Sequence, residues 1–402
     1  MSFEMVTLGE LCRRGGGGIQ TGPFGSQLHA ADYVEDGIPS VMPQNIRENS
    51  LSAEGIARVS DVDAERLTKH RLIAGDIVYS RRGDVEKRAW VRPEQEGWLC
   101  GTGCLRVRVG DRADSRFVSY ALGTEDARTW IRRHAVGATM LNLNTSILGQ
   151  VPLPVPAFRE QVGIAEVLGA LDDKIAANEA PNGSVERLLR AHLARLSDLP
   201  SAGPREISEL IDFNPRCSAP LDPITFVDMN KLPTADSVIR DWGSRPAVAG
   251  GARFMNGDTL LARITPCLEN RKTGFVDFLE AGEVGVGSTE FVVMRSRRGI
   301  AKSVSYLLAT DEGFRTHAAL HMTGTSGRQR VAAADLAKYE MLLPPDEGFR
   351  ELGELATALF TRLAQARDEN RTLAALRDTL LPELMAGRLR VKDAEHRVEE
   401  AL

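Results

Sequence analysis

The sequence has few of the residues that build disulfide frameworks or metal centres. Its 402 residues include five cysteines and 5% aromatic residues. The cysteines are odd in number and form no Cys-x-x-Cys pair, and the seven histidines lack metal-ligand spacing. A disulfide framework and a zinc site are therefore not indicated, and we interpret the cysteines as small buried hydrophobic residues.

Long apolar runs and a large excess of basic charge are also lacking. No run approaches the length that spans a bilayer, and the first residues show no basic start or apolar stretch of a signal peptide. We therefore expect a cytoplasmic protein without membrane contact. A net charge of −5 argues against a wholly basic nucleic-acid coat protein, but not against a reader with basic residues on one face.

Catalytic motifs are missing as well. The glycines at 15–18 precede no Gly-Lys-Ser/Thr, so they indicate a turn rather than a P-loop. Residues 214–216, Asn-Pro-Arg, stop short of the Asn/Asp-Pro-Pro-Tyr/Phe motif of methyltransferases. Asp76 lies among charged residues that loosely resemble a nuclease cluster. However, both Asp76 and Asp258 follow a glycine before a strand, which favours a turn role. We predict no catalytic residue in this chain.

The most informative feature present is a duplication. Residues 75–81, Gly-Asp-Ile-Val-Tyr-Ser-Arg, correspond to Gly-Asp-Thr-Leu-Leu-Ala-Arg at 257–263. In the same order, 118–124 correspond to 304–310, and 158–160 to 349–351. The offset grows from 257 − 75 = 182 to 349 − 158 = 191, as loop insertions would produce. The chain is therefore predicted to be a tandem repeat of one unit.

Each half begins with a mixed, loop-rich part. Residues 1–155 contain short apolar runs typical of strands, such as 77–79 and 105–109, and a predicted helix from Ser115 to about Arg133. Residues 201–345 repeat this plan. The composition and pattern predict an α/β (α+β) fold for both parts.

Each half ends in a predicted long helix, at 156–200 and at 346–390, and a tail covers 391–402. Apolar residues recur there at alternating spacings of four and three, which is typical of a coiled coil. Polar Asn178, Asn182 and Asn370 fall within the seams, where Asn commonly fixes register. The alternative is that each seam only packs on a globular domain. The predicted helix-pairing residues are Ile164, Leu168, Leu171, Ile175, Leu189, Leu359, Leu363, Asn370, Leu373 and Leu380.

Pro181 lies inside the first helical pattern. A proline in a helix removes a hydrogen bond and clashes with the preceding turn, at a cost of about 3 kcal/mol. Since Asn-Gly follows, we expect a break or kink there. The apolar phase resumes unchanged at Val185, which favours a local interruption.

Several motifs resemble the specificity (S) subunit of type I restriction-modification systems. They include Gly-Pro-Phe-Gly-Ser-Gln-Leu at 22–28, Gly-Asp with a following Arg in both halves, and Leu-Asp-Asp-Lys-Ile at 171–175. In the second half they include Gly-Thr-Ser-Gly-Arg-Gln-Arg-Val at 324–331 and Leu-Arg-Asp-Thr-Leu-Leu-Pro-Glu-Leu at 376–384. Each motif alone is modest, but their order and duplication over nearly the whole chain are specific.

The resemblance implies two similar target-recognition domains separated by two long antiparallel coiled-coil helices, as a pseudo-two-fold tandem repeat. Each domain would read one part of a bipartite double-stranded DNA target. The helices would dock two methyltransferase subunits that methylate adenine N6 with S-adenosylmethionine bound to the partner, and a nuclease-translocase subunit can join. No cofactor is implied for this chain. The family helix is usually continuous, so Pro181 is a departure.

Base edges are read by Arg, Asn, Gln, Ser and Thr, and affinity comes from Arg and Lys on phosphates. We selected such residues in loops near glycine, where the backbone can approach DNA closely. The candidate DNA-binding residues are Ser26, Gln27, Gln44, Asn45, Arg81, Arg82, Lys87, Arg88, Asn142, Asn144, Arg263, Asn270, Arg271, Lys272, Thr323, Thr325, Ser326, Arg328, Gln329 and Arg330.

Two other classes of function stay open at this point. A protein-interaction adaptor could also use two repeated halves, and a stand-alone enzyme is disfavoured by the missing motifs. Steeply salt-dependent DNA binding would favour the DNA reader over both.

Overall fold

The computed structural model describes residues 3–24, 27–137, 140–246, 250–325 and 327–402. The chain forms two compact units. Unit 1 contains Met1–Lys174 and Leu373–Leu402, and unit 2 contains Ile175–Thr372. In the described part of the chain, no helix combines the length and the apolar character needed to cross a membrane.

Strands and helices alternate irregularly in the first part of unit 1. The strands are β1 (Glu4–Thr7), β2 (Gly16–Thr21), β3 (Tyr33–Val34), β4 (Ile38–Val41), β5 (Ala57–Val59), β6 (Ile77–Ser80), β7 (Arg88–Trp90), β8 (Leu99–Cys100), β9 (Cys104–Gly110) and β10 (Pro152–Val155). The helices are α1 (Leu8–Arg14), α2 (Asp61–Arg66), α3 (Ser115–Ala121), α4 (Glu125–His134) and α5 (Thr145–Gly149).

The strands of unit 1 form two four-stranded sheets and a ribbon. The first sheet is antiparallel, in the order β2-β9-β6-β7, and the second has the order β3-β5-β4-β8 with β4 and β8 parallel. Strands β1 and β10 pair as a separate ribbon. Strand β9 buries Leu105, Val107 and Val109 in alternation with more exposed arginines, which is the period of a strand packed on one face.

The predicted helix from Ser115 to about Arg133 is two helices in the structure. Helix α3 ends at Ala121, and α4 begins at Glu125. The Thr124 side chain accepts a hydrogen bond from the Ala127 N–H and caps α4. A capping threonine stabilises a new helix start, so the interruption at Gly123-Thr124 follows from local sequence.

Unit 2 has the same kinds of element. Its strands are β11 (Gly203–Glu206), β12 (Ile211–Phe213), β13 (Ile224–Val227), β14 (Gly243–Arg245), β15 (Ala252–Phe254), β16 (Asp258–Ala262), β17 (Thr273–Phe275), β18 (Gly285–Gly287), β19 (Phe291–Ser296) and β20 (Glu340–Leu343). Its short helices are α8 (Val304–Ala309), α9 (Glu312–Leu320) and α10 (Ala333–Leu336).

The strand pairing repeats that of unit 1. The antiparallel sheet β12-β19-β16-β17 corresponds to β2-β9-β6-β7, and the parallel pair β13/β18 corresponds to β4/β8. A ribbon of β11 and β20 corresponds to β1 and β10. The mixed fold with similar halves, predicted from the sequence repeat, is confirmed.

The long helices are α6 (Phe158–Glu179), α7 (Asn182–Ser197), α11 (Asp346–Met385) and α12 (Val391–Glu399), the last of which lies in the predicted tail. Helix α6 ends and α7 begins on either side of Ala180-Pro181, where the sequence predicts an interruption. The domain limits drawn from the sequence stay predictions.

Most seam residues of the long helices are buried. Within unit 1 these are Ile164, Leu168, Leu171, Leu373 and Leu380, and within unit 2 they are Leu189 and Leu363. Leu189 and Leu363 share one core with Leu352 and Leu308, so this seam also packs on the globular part of unit 2. Ile175 and Leu359 are half-buried.

The seam asparagines behave differently from one another. Within unit 2, the Asn178 Nδ2 donates to Asn370 Oδ1 at 2.9 Å, so these two amides join α6 to α11. The expectation that Asn182 belongs to the same seam is wrong. Its amide donates to Asp236 Oδ2 at 3.4 Å, and Asp236 lies outside the long helices.

Candidate nucleic-acid interface

The repeated Gly-Asp sequence forms a buried ion pair in each unit. In unit 1, both carboxylate oxygens of Asp76 accept from Arg108, at 2.8 and 2.7 Å. In unit 2, Asp258 accepts from Arg295 twice at 2.6 Å. Each Asp also accepts from a backbone N–H three residues earlier, at 3.0 and 2.8 Å respectively. These carboxylates are therefore structural, as the turn interpretation predicts.

The next strand, β6 or β16, ends in a loop that begins with an arginine. In unit 1, the Arg81 N–H donates to the Gly103 carbonyl at 2.8 Å, and its own carbonyl accepts from Leu143 at 2.8 Å. The Arg81 guanidinium lies 5.4 Å from the centre of the Phe24 ring. Arg82 forms a β-bridge with Asn142. Three segments chosen separately from the sequence therefore meet at one surface.

Other candidate side chains of unit 1 line these loops. Gln44, Arg82 and Lys87 are exposed, and Lys87 lies 3.8 Å from Asp84. The Gln27 side-chain carbonyl accepts from the Phe24 N–H at 3.2 Å. Asn142 is half-buried.

Two candidates of unit 1 are revised by their burial. Asn45 is fully buried, accepts from the Met42 N–H and donates to the Glu54 carbonyl. Arg88 is 3% exposed and donates to Ser119 and Glu48. Because their polar atoms serve the fold, neither side chain presents itself to a DNA groove.

Asn144 has a helix-capping role. Its Oδ1 accepts from the Ile147 N–H at 2.8 Å and starts α5, although the residue is exposed. Ser26 and Ser326 lie outside the described residues.

In unit 2 the candidate residues at 263–272 and 323–330 lie in two loops that pair with each other. The Thr265 N–H donates to the Gln329 carbonyl, and the Gln329 N–H donates to Thr265 Oγ1, both at 3.0 Å. Arg330 and Thr323 exchange backbone hydrogen bonds at 2.8 and 2.9 Å. The Val331 N–H donates to the Arg263 carbonyl. The 263–272 and 323–330 loops therefore form one surface.

Several basic groups of this surface are held by acidic neighbours. Arg330 makes a two-pronged ion pair with Glu290, which lowers the pKa of that carboxyl. Arg271 pairs with Glu312, at 2.5 and 3.0 Å, and lowers its pKa likewise. Such contacts fix each guanidinium before a ligand arrives, but a phosphate must then compete with the carboxylate.

The remaining candidates of unit 2 vary in exposure. Asn270, Thr323, Thr325 and Arg328 are exposed, whereas Lys272 is half-buried and its Nζ donates to the Met229 carbonyl at 3.0 Å. Arg328 therefore presents the most accessible cation among those selected in the 323–330 loop.

Sequence analysis missed two arginines at this surface. Arg216 and Arg253 line a cleft of about 580 Å³ together with Arg263, Thr289 and Phe291. Arg216 stands in the Asn-Pro-Arg sequence at 214–216, which was considered above only as an incomplete methyltransferase motif. Arg253 follows no recognisable sequence signal.

The cysteine thiols and the possible metal ligands were also considered as sites. Cys12, Cys100 and Cys104 are buried, and burial raises the pKa of Cys12 and of Cys100 to about 12. These three behave as small hydrophobic residues, as predicted, whereas Cys217 and Cys267 are half-buried and do not fit the prediction of buried thiols. In the described ranges, no three His, Cys, Asp or Glu side chains are grouped so that they could hold a metal ion.

The chain is similar in sequence to known proteins. Residues 3–187 match the type I restriction modification DNA specificity domain. The chain is 32% identical over 164 residues to the EcoEI specificity subunit of Escherichia coli, covering 38% of this chain and 27% of that one. It is 21% identical over 387 residues to the putative type I restriction enzyme MjaX specificity subunit of Methanocaldococcus jannaschii, covering 89% and 88% of the two chains.

A solved structure agrees with the fold. The type I restriction-modification S subunit from M. genitalium aligns with a TM-score of 0.54 at 15% identity, covering 96% of each chain. The stretch matched to the E. coli subunit is little more than a quarter of that subunit, whereas the fold comparison extends over nearly the whole chain. The chain is therefore similar to the specificity subunits of type I restriction-modification systems, and its residues 3–187 match their DNA specificity domain.

Proposed function

We propose that this chain selects the DNA sequence on which a type I restriction-modification complex acts, and that each half reads one part of a bipartite target. The observation that carries the proposal is the repeated module. In both units a buried Asp–Arg pair fixes the central strands, and a loop beginning with Arg81 or Arg263 follows β6 or β16. Two similar modules suit a target with two separate parts.

The loops supply the two kinds of contact that DNA recognition needs. Exposed Gln44, Asn270 and Arg328 have amide or guanidinium groups that match base edges in the major groove. Exposed cations such as Arg82 and Lys87 suit phosphate contacts, which give affinity without sequence preference.

Catalysis in this proposal belongs to other chains. The long helices dock two methyltransferase subunits, which methylate adenine N6 with their own S-adenosylmethionine, and a nuclease-translocase subunit can join them. This chain carries no cofactor and acts in the cytoplasm. The buried helix seams and the Asn178–Asn370 bond support the proposal, because they would give such partners a rigid platform.

The test is methylation sequencing with the chain and its methyltransferase expressed together. We expect adenine methylation at a two-part site that neither protein alone produces. A Gln44→Ala variant should relax only one half-site, and Arg328→Ala only the other. Methylation by the methyltransferase alone at the same site, or relaxation of both halves by either variant, would contradict the proposal.

A further inference from the structure

The cleft in unit 2 is rich in cations and poor in anions. Its described lining contains Arg216, Arg253 and Arg263, and none of the described lining residues is a carboxylate. Arg216 and Arg253 are exposed at the rim, and Arg263 is half-buried. The uncharged lining includes Thr289 and Phe291, at the start of β19.

The nearby acidic groups are already engaged. Asp258 is bound by both prongs of Arg295, and Glu290 by Arg330. Arg253 is oriented toward the cleft wall, because it donates to the Cys217 and Ser218 carbonyls at 3.5 and 3.3 Å. Like charges held close together repel, and a bound anion relieves that repulsion.

Unit 1 differs at the comparable place. The segment after β2 brings the Phe24 ring beside Arg81, the repeat counterpart of Arg263. The segment after β12 instead brings Arg216 to the cleft that Arg263 lines. In unit 1 an aromatic ring lies beside Arg81, whereas in unit 2 Arg263 lines a cleft with two further arginines.

We propose that the cleft lined by Arg216, Arg253 and Arg263 binds a backbone phosphate of the DNA that unit 2 reads. The inference rests on the proposed function and adds a positioning contact to it. Guanidinium groups suit phosphate because their planar donors match its oxygens in pairs. The cleft adjoins the reading loops, because the Arg263 N–H donates to the Glu290 carbonyl and Glu290 holds Arg330. The bound phosphate thus sets the position of the DNA against the 323–330 loop.

A phosphate contact has a signature that a base contact lacks. Each phosphate neutralised by a protein cation releases condensed ions, so the slope of log K against log salt changes by about 0.9 per contact. Loss of such a contact also weakens binding to all sequences alike. It can therefore be measured with the full chain and a random-sequence duplex.

The experiment compares Arg216→Ala and Arg216→Lys with the wild-type chain by fluorescence anisotropy over a salt series. Arg216 is the best target because it is exposed, whereas Arg253, which is also exposed, donates to the Cys217 and Ser218 carbonyls. Arg298→Ala is the matched control, since it removes an exposed arginine beyond the other end of β19, roughly 17 Å of strand away at 3.3 Å per residue. Circular dichroism and thermal unfolding check that each variant is folded.

We expect Arg216→Ala to reduce the slope by about 0.9, so that its affinity deficit is about three- to fourfold larger at 50 mM than at 200 mM salt. Arg216→Lys should keep the wild-type slope, and so should Arg298→Ala. A folded Arg216→Ala chain with an unchanged slope would overturn the inference.

A second arm separates the DNA backbone from a free anion. One outcome is that inorganic phosphate raises the unfolding temperature of the wild type but not of Arg216→Ala, with the same salt dependence of DNA binding for both proteins. In that case the cleft binds a free anion and the inference is wrong. Failure of the wild-type chain, alone and with its methyltransferase, to bind duplex DNA would instead refute the proposed function. The two failures are therefore distinguishable.

Discussion

The buried Asp258–Arg295 pair offers a sharp test of how unit 2 holds its reading loops. Asp258→Asn keeps the size of the side chain and an oxygen for the Met255 N–H, but removes the charge that faces Arg295. Removing one partner of a buried pair costs about 3–5 kcal/mol of unfolding free energy. Asp258 is 1% exposed, whereas the Arg295 side chain keeps 27% of its surface in water.

That exposure lowers the expected cost. Water can solvate part of the stranded guanidinium, and the retained oxygen preserves one hydrogen bond, so we expect a loss of about 2–3 kcal/mol. For a unit of this size the unfolding temperature should fall by about 4–12 °C. Asp76→Asn should have a similar effect in unit 1, since its pair with Arg108 has the same geometry.

Urea and thermal unfolding followed by circular dichroism measure the loss, and hydrogen exchange in β16 and β19 locates it. Asp212→Asn is the matched control, because its ion pair with Arg297 leaves both side chains 49% exposed. Exposed pairs contribute about 0–1 kcal/mol. Equal stability of Asp258→Asn and wild type, or an equal loss in Asp212→Asn, would refute the reasoning.

Four further predictions concern binding, pH, the helix seam and the spacer. Arg328→Glu should weaken DNA binding in an anisotropy assay without lowering the unfolding temperature, because the side chain is exposed. Glu186 in α7 has its pKa raised to about 7 by burial. Folding therefore favours the protonated carboxyl. The stability that this carboxyl contributes is fully present below about pH 4.5 and is lost as the pH rises through 7. In Glu186→Gln, the free energy of unfolding measured in urea should change less with pH over that range. Asn178→Ala should cost about 1 kcal/mol of unfolding free energy, measured by thermal unfolding, because Asn370 Oδ1 loses its donor. Adding helical turns near Pro181 should change the spacer between half-sites, seen by methylation sequencing, while the half-sites stay the same.

Each of these has an outcome that would count against it. For Arg328→Glu it is an unchanged affinity for DNA, and for Glu186→Gln it is a pH profile of stability parallel to that of the wild type. For Asn178→Ala it is an unchanged free energy of unfolding, and for the lengthened helix it is altered half-sites with a constant spacer.

Much of the fold was accessible from the sequence because its signals are local. The alternation of apolar residues with arginines predicted β9, and the repeated Gly-Asp sequences predicted two equivalent turns. The spacing of apolar residues predicted the long helices. The interruption at Pro181 follows from the missing N–H of one residue. The prediction of a single helix from Ser115 was wrong for a local reason too, because Thr124 caps the start of a second helix.

The candidate interface was only partly accessible. The sequence selected Arg81, Arg263 and the 323–330 loop, which the structure places on two coherent surfaces. It also selected Arg88, which is buried, and missed Arg253. Residue type states what a side chain can bind, but exposure depends on segments far away in the chain.

The sequence by itself determined that one module occurs twice and is joined to long helices, because repeats, turns and helical periodicity are written in neighbouring residues. Only the tertiary structure decided which partner each charged or polar group has. Asp258 meets Arg295 and Asn182 meets Asp236 across 37 and 54 residues of sequence (295 − 258, 236 − 182). Such pairings arise when packing buries polar groups that must then be satisfied, and no local pattern specifies which distant residue satisfies them.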